Sequence, residues 1–388
     1  MKVVCDRSAL QEAVNLANSV VSPRSPRPQL GCVKLDATLT QDVGELTLAA
    51  TDGEVSIALT TTSVEVQRQG QALVPAAKLQ QIIAAEDAEP TLTLETEQDA
   101  LRIRGADAKF TIYGFPPDEA PPVATFPTGE EESGPWSRFR VHSDALALLI
   151  TRTLFATAKE TSRYAINGVL LKRQGKKAEM VATDGRRLAL ATGAVEGAAD
   201  EPAASCILPS KALQIVSRLL NSCEEAHVAM GQTQAALAFG SPGDPSRAVV
   251  RASLIEGAFP PYEDVIPRDQ DKKATVDVAA FVSAIRRAAL LTNEESRGVR
   301  MRFAQENGSA QATITSRAPE LGEAEISAPL KSYTGEELEI GFNPAFILDA
   351  LKAIDEPEAV FELKAANKPG VLRSGADFLY VVMPVGLT

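Results

Sequence analysis

The sequence predicts an α+β protein made of three repeated domains, each with two helices packed on antiparallel sheet. Three observations predict it. The strings "VVCDRSALQEAV", "FRVHSDALALLI" and "ATVDVAAFVSAI" each pass from a short strand into a helix, with Leu10, Leu146 and Phe281 at matching places 136 and 135 residues apart. The strings "ALVPAAKLQQII", "CILPSKALQIV" and "EIGFNPAFILDAL" do the same, with Leu79, Leu213 and Ile347 spaced by 134 each time. The tetrapeptide "ATDG" occurs twice between strand-like runs, with Thr51 and Thr183 separated by 132 residues. Self-similarity at one spacing is the mark of a duplicated structural unit.

Each unit reads strand, helix, strands, helix, strands. The first helix opens on a residue that can cap it: Asp6 or Ser8, then Ser143, then Asp277. In the second unit Leu146, Leu149, Ile150, Thr153 and Leu154 fall at helical spacing and leave Arg152 off that face. In the third, Phe281, Ile285 and Ala288 make the stripe, and Arg286 and Arg287 point elsewhere. The second helices turn Leu79, Ile82 and Ile83, or Phe346, Ile347, Ala350 and Leu351, inward. Lys78, Arg218 and Lys352 lie outside or at the margin of those stripes. Between helices the pattern alternates with period two, and Asp-Gly suits a hairpin corner because glycine tolerates positive φ. Each unit ends on a strand: "AKFTIYGF", "SRAVVRASLI" and "DFLYVVMP". Segments rich in Pro, Gly and Glu join the units, which places the domains at 1–127, 134–258 and 268–388.

The composition is that of a globular protein, 45% hydrophobic and 23% charged over 388 residues. No run of about 18 apolar residues exists, and no signal peptide is evident, so a cytoplasmic protein without a membrane partner is expected. Cys5, Cys32, Cys206 and Cys223 are scattered and far from His142 and His227, which predicts reduced thiols and no metal site. The net charge of −12 argues against a generally basic nucleic-acid binder but leaves room for basic helices on an acidic body. No G-x-G-x-x-G, P-loop or G-x-S-x-G occurs, and acidic pairs such as Glu131-Glu132 and Glu224-Glu225 sit in polar segments. No catalytic residue and no cofactor are expected. The competing class is an enzyme on a triplicated scaffold that uses the "TDGRR" loop as an acid or phosphate site.

Six strings in order, "SRYAINGVLL", "VATDGRRLA", "FPPYEDVIP", "LLTNEESRGVR", "EIGFNPAFILDALKAI" and "YVVMPVGL", resemble the bacterial replicative sliding clamp family, the beta subunit of DNA polymerase III. The resemblance covers the whole chain. It implies a head-to-tail homodimer closing a ring of six domains around double-stranded DNA. The replicative polymerase, the clamp loader and other partners would dock through linear peptide motifs. By matching positions it implies a peptide pocket of Arg163, Tyr164, Ile166, Thr183, Gly185, Arg186, Arg187, Leu188, Pro260, Val265, Phe346, Val381, Met383 and Pro384. It also implies DNA-facing groups, of which Arg27, Tyr164 and Lys211 rest on family positions and Arg152, Arg218, Arg286, Arg287 and Lys352 on their place in the helices. The implied interface sets Lys78, Lys109 and Phe110 of one subunit against Leu290, Leu291, Glu323 and Glu325 of the next. The chain departs from the family at Arg186 (commonly histidine), Asp264 (often arginine), Ala165 (often tyrosine) and in the Gly386-Leu387-Thr388 tail, which bears on peptide and DNA contacts.

Overall fold

The computed structural model describes residues 1–388 other than 41, 124, 128–135, 161–162, 198–202, 242–243, 293–297, 307, 320 and 387–388. The Glu131-Glu132 pair, the 134 boundary and the last two residues of the tail lie outside the described residues. The first repeat runs β1 (Lys2–Asp6), α1 (Arg7–Val20), β2 (Cys32–Thr40), β3 (Val43–Thr51), β4 (Val55–Thr61), β5 (Val64–Arg68), β6 (Gly70–Pro75), α2 (Ala76–Ala85), β7 (Thr91–Glu97), β8 (Ala100–Arg104) and β9 (Lys109–Tyr113). The second runs β10 (Ser137–His142), α3 (Ser143–Thr153), β11 (Gly168–Gln174), β12 (Lys177–Thr183), β13 (Arg187–Ala194), β14 (Ala204–Pro209), α4 (Ser210–Leu219), β15 (Glu225–Met230), β16 (Gln234–Ser241) and β17 (Asp244–Ser253). The third runs β18 (Lys272–Asp277), α5 (Val278–Ala288), β19 (Val299–Glu306), β20 (Ser309–Ala318), β21 (Gly322–Pro329), β22 (Ser332–Thr334), β23 (Leu338–Phe342), α6 (Pro344–Lys352), β24 (Glu358–Leu363), β25 (Gly370–Ser374) and β26 (Phe378–Val382). The threefold order of strand, helix, strands, helix, strands is therefore present as the sequence predicts.

Local chemistry explains where the helices begin. Asp6 accepts from the Ala9 amide, Asp277 from Ala280 and Asn343 from Ala345, so α1, α5 and α6 start on side-chain caps. Ser143 is the first residue of α3, and its Oγ lies 3.1 Å from Cys223 Sγ. The apolar stripes are buried as their spacing requires: Leu10, Val14 and Ala17 on α1, Leu146, Leu149 and Ile150 on α3, and Phe281, Ile285 and Ala288 on α5. Ile82 and Phe346 are only half-buried. Across the outer faces of α1 and α2, Asn18 donates to Gln80 and Gln80 donates to Asn15 at 2.7 and 2.8 Å.

The chain forms two compact units, Met1–Leu146 with Val195–Leu254, and Ala147–Ala194 with Ile255–Thr388, so the second repeat contributes to both. In the first unit one sheet has the order β5-β1-β7-β8-β9, and the other β10-β15-β16-β17-β4-β3-β2-β6. In the second unit one sheet has the order β21-β20-β19-β23, and in the other the strands of this unit run β11-β12-β13-β26-β25-β24-β18-β22. Sheet thus continues from one repeat into the next. The last strand of repeat two, β17, pairs with β4 of repeat one from Ala248–Leu59 to Ala252–Val55. The last strand of repeat three, β26, pairs with β13 of repeat two from Arg187–Val382 to Ala191–Phe378. Two equivalents of these strands, β9 and β21, remain as outermost strands. Among the described residues no helix is long and apolar enough to cross a membrane.

Candidate functional site

The repeated Thr-Asp-Gly turn is the same device twice. Thr183 Oγ1 donates to the Arg187 carbonyl at 2.6 Å and accepts from the Gly185 amide at 3.1 Å. Asp184 Oδ1 accepts from the amides of Arg186 and Arg187 at 2.9 and 3.1 Å. In the first copy Thr51 donates to Val55 and accepts from Gly53, and Asp52 Oδ1 accepts from Glu54 and Val55. Gly53 and Gly185 sit at φ +98° and +85°, which side chains disfavour. These local bonds satisfy the backbone of a tight corner and leave one aspartate oxygen to reach outward.

What that oxygen reaches differs between the copies. Asp184 Oδ2 accepts from Arg187 Nε at 3.0 Å, and the same guanidinium donates to Asp349 Oδ2 of α6 at 2.8 Å and to the Phe155 carbonyl at 2.7 Å. Its carbon stands 4.4 Å over the Phe346 ring, and Tyr380 donates to the Phe346 carbonyl at 2.9 Å. Arg187 therefore builds one wall, holding α6 and Phe346 to the corner, and its donors are engaged within the protein. Arg187, which the family positions put in the peptide pocket, thus donates inside the protein from each of its nitrogens, whereas Arg186, the next residue back, is exposed. Both Asp184 oxygens are engaged as well, so the "TDGRR" loop offers neither a free acid nor a free phosphate-binding arginine at position 187.

Apolar residues of β13 and β26 lie beside this wall. Leu188 and Val381 are direct cross-strand partners, 3% and 4% exposed, and Ile166 is buried. The Met383 amide donates to the Arg186 carbonyl at 2.9 Å, which continues the β13–β26 pairing and leaves the Met383 side chain 46% exposed. Pro384 follows it, half-buried. The Ala165 amide donates to the Ala258 carbonyl, which joins the Arg163–Ile166 segment to the linker carrying Pro260 and Val265. Arg163 lies over the Tyr164 ring at 4.7 Å and is exposed, and Val265 is 57% exposed.

The linker itself is held by residues that the sequence reading passed over. Tyr262 is buried and donates to Glu179 Oε1 at 2.5 Å. Lys172 Nζ donates to the Tyr262 hydroxyl at 2.6 Å and to Glu263 Oε1 at 3.1 Å, and sits 4.5 Å over the Tyr262 ring. Lys172 and Glu179 are opposite one another on β11 and β12. Burial, then the carboxylates of Glu179 and Glu263, push the Tyr262 hydroxyl well above the usual tyrosine range. The available signal was an alternating strand pair with opposite charges, but only the register reveals that they meet.

The basic side chains divide. Arg27, Arg218, Arg286, Arg287 and Lys352 are exposed. Arg152 is not: it is 3% exposed, its guanidinium donates to both oxygens of Glu356 at 3.1 and 3.2 Å, and it lies over the Phe378 ring. The expectation of a DNA-facing Arg152 fails because a buried, paired guanidinium cannot reach a phosphate. Lys211 is half-exposed but occupied, donating to Asp52 Oδ2 at 2.5 Å and to the Val20 carbonyl at 2.6 Å. It extends the first Thr-Asp-Gly corner onto the end of α1. Of the proposed interface residues, Lys78 and Lys109 are exposed and Phe110 is half-buried on the edge strand β9. Leu290 is 77% exposed, Leu291 half-buried, and Glu323 and Glu325 are exposed on the edge strand β21.

Comparison with known proteins accounts for this architecture. The N-terminal, central and C-terminal domains of the DNA polymerase III beta subunit match residues 1–124, 140–261 and 263–386. The beta sliding clamp of Pseudomonas aeruginosa is 32% identical over 391 residues and that of Caulobacter vibrioides 31% over 395, covering 99–100% of each chain. The crystal structure of the P. aeruginosa DnaN sliding clamp bound to griselimycin superposes with a TM-score of 0.86 at 31% identity, with both chains fully covered. The DNA polymerase III beta subunit of Thermotoga maritima gives 0.85 at 25% identity, again over the whole of both chains. Threefold repeated sequence, sheets that run from repeat to repeat and full-length similarity together place this chain in the DNA polymerase III beta subunit family, the beta sliding clamps.

Proposed function

We propose that the protein works as a cytoplasmic, ring-shaped homodimer that encircles duplex DNA and tethers the replicative polymerase, its clamp loader and other partners through the groove at Leu188 and Met383, with no catalysis of its own. The observation that carries the closed ring is the internal symmetry of the sheets. At both junctions inside the chain, the final strand of one repeat pairs antiparallel with the strand that follows the hairpin corner of the preceding repeat. One strand of each kind is left over, β9 at the start and β21 at the end, each outermost in its sheet. An unpaired edge invites a partner strand. A second copy supplies it head to tail, and two such heterologous contacts close the ring.

The side chains on the two edges suit that pairing. Ile112 and Phe110 share the inward face of β9, and Ala324 and Ile326 that of β21, with Leu290 and Leu291 beside the latter. Lys109 and Lys78 would face Glu323 and Glu325, each pair contributing about 0–1 kcal/mol. The apolar contact carries most of the stability. Leu290→Lys with Leu291→Lys is therefore expected to give a folded monomer that cannot remain on circular DNA. Sedimentation decides it: a persisting dimer with native circular dichroism would place the interface elsewhere. The domain boundaries at 1–127, 134–258 and 268–388 belong to the same reading, with the linkers as the connectors between ring segments.

A further inference from the structure

We propose that Lys172, Tyr262 and Glu179 form a polar latch that positions the linker wall of the peptide groove, so that breaking the latch weakens peptide capture while the ring stays intact. The inference rests on the groove reading above and adds its control. The wall in question carries Pro260 and Val265 on residues 258–265. Its polar side-chain hold on the sheet runs through Tyr262 and Glu263. Tyr262 is the one buried residue of the turn Tyr262–Val265, and Val265 itself is 57% exposed and so anchors little. Phe259 meets the Tyr262 ring edge-on at 6.1 Å. The backbone bonds from Ala165 to Ala258 and from Asp264 to Pro261 fix the start and the bend of the segment, not its height over the sheet.

That height is set by one phenol. Its oxygen donates to Glu179 and accepts from Lys172, and the lysine also holds Glu263 and covers the ring. Glu179 and Glu263 both lie at the phenol; the Lys172 ammonium bonded between the phenol and Glu263 is the nearest charge offsetting their repulsion, with Arg268 acting on Glu263 from further off. Removing the lysine charge leaves two carboxylates converging on one hydroxyl next to an exposed turn, and the turn is the part free to move. Charge-assisted hydrogen bonds of this kind are the strong ones, and a shift of a positioned wall by a fraction of an ångström is felt in affinity. The latch stands outside the groove, so peptide contact need not be altered for binding to fall. Lys172, Glu179 and Glu263 belong to neither proposed dimer edge.

The test uses the full chain and a fluorescein-labelled five-residue peptide with an N-terminal glutamine and leucine and phenylalanine anchors, read by fluorescence polarisation. Lys172→Met and Tyr262→Phe should each weaken binding about tenfold, and Lys172→Arg should restore it to within about threefold of wild type, since a guanidinium can donate to the same two oxygens. Sedimentation and thermal midpoint should stay those of the wild-type dimer. Unchanged affinity in both Lys172→Met and Tyr262→Phe overturns the latch. So does a loss of affinity that tracks loss of the dimer or of folded protein, which would mark the cluster as general structure. Leu188→Ala with Met383→Ala is the control for the groove: if that variant binds the peptide as wild type does, or wild type does not bind it, the groove reading fails independently of the latch.

Discussion

Arg152 shows how a charged residue's place in a sequence pattern can mislead. It stands in the last turn of α3, where a cation is favoured by the helix dipole, and so do Arg218 on α4, Arg286 and Arg287 on α5, and Lys352 on α6. Position alone cannot separate an outward cation from one folded under its own helix. Arg152 is drawn inward because Glu356 waits there, itself bonded by Ser374 at 2.6 Å. The pairing is imperfect, since Arg152 Nε is buried without a partner among the described residues. Replacing such a group by an apolar side chain of similar reach is commonly neutral, whereas truncating it leaves a hole and an unpaired acid. Arg152→Met should therefore change stability by less than about 1.5 kcal/mol, and Arg152→Ala should lower it by about 2–3 kcal/mol. Both should hold DNA as wild type does. Chemical denaturation and retention on circular DNA check the two halves, and weakened DNA retention by the methionine variant would return Arg152 to the DNA-facing set.

At the scale of elements, the Thr-Asp-Gly hairpins were legible because turn chemistry is local: threonine, aspartate and glycine bond within five residues. The triplication and the capped helices were legible for a related reason, since repetition exposes equivalent elements. What lay hidden was every partner distant in sequence. Nothing near Asp52 points to Lys211, 159 residues on, and nothing near Lys172 points to Tyr262. Of the candidate site, the apolar residues were supplied by the family resemblance, while the engagement of Arg187 by Asp349 and Phe155 could not be read, because it depends on where α6 docks. The Asp52–Lys211 bond makes a measurable claim. Burial alone would raise the Asp52 carboxyl, but the Lys211 hydrogen bond, the amides of Val55 and Glu54 and the lysine charge hold it below its ordinary value. A depressed folded-state value means the stabilisation is full above the unfolded value near 4 and is lost as pH falls through the folded one. Asn at position 52 keeps the capping oxygen and removes the charge. Asp52→Asn should then be less stable at pH 7 by about 0.5–1 kcal/mol, a small figure because Lys211 is 40% exposed. The difference from wild type should shrink as pH drops below about 4. Urea midpoints across pH measure it, and a gap that persists at pH 3 would assign the effect to geometry instead of charge.

For the whole molecule, the central tension is a chain of net charge −12 that acts on a polyanion. A protein that holds DNA by contact alone needs many cations and loses affinity steeply with salt. This chain presents few candidates: Arg27 and Arg218 in one unit, Arg286, Arg287 and Lys352 in the other, with Arg152 and Lys211 already engaged by carboxylates. Few phosphate contacts give a shallow salt dependence and weak affinity, which suits a ring that must move along the duplex while topology prevents escape. The consequence can be measured on dimers assembled around a nicked plasmid. At about 0.5 M salt, where contact binding is largely screened, the dimer should stay on the circle and leave within the time needed to cut it. Arg286→Ala, Arg287→Ala and Lys352→Ala combined should weaken binding to short linear duplex at low salt and reduce the salt slope by about 2–3. The same triple variant should still be retained on the circle at high salt, because the proposed closure of β9 on β21 would not involve these residues. Dissociation from circular and linear DNA at equal rates in high salt would mean that contact, not enclosure, is what holds the protein to DNA.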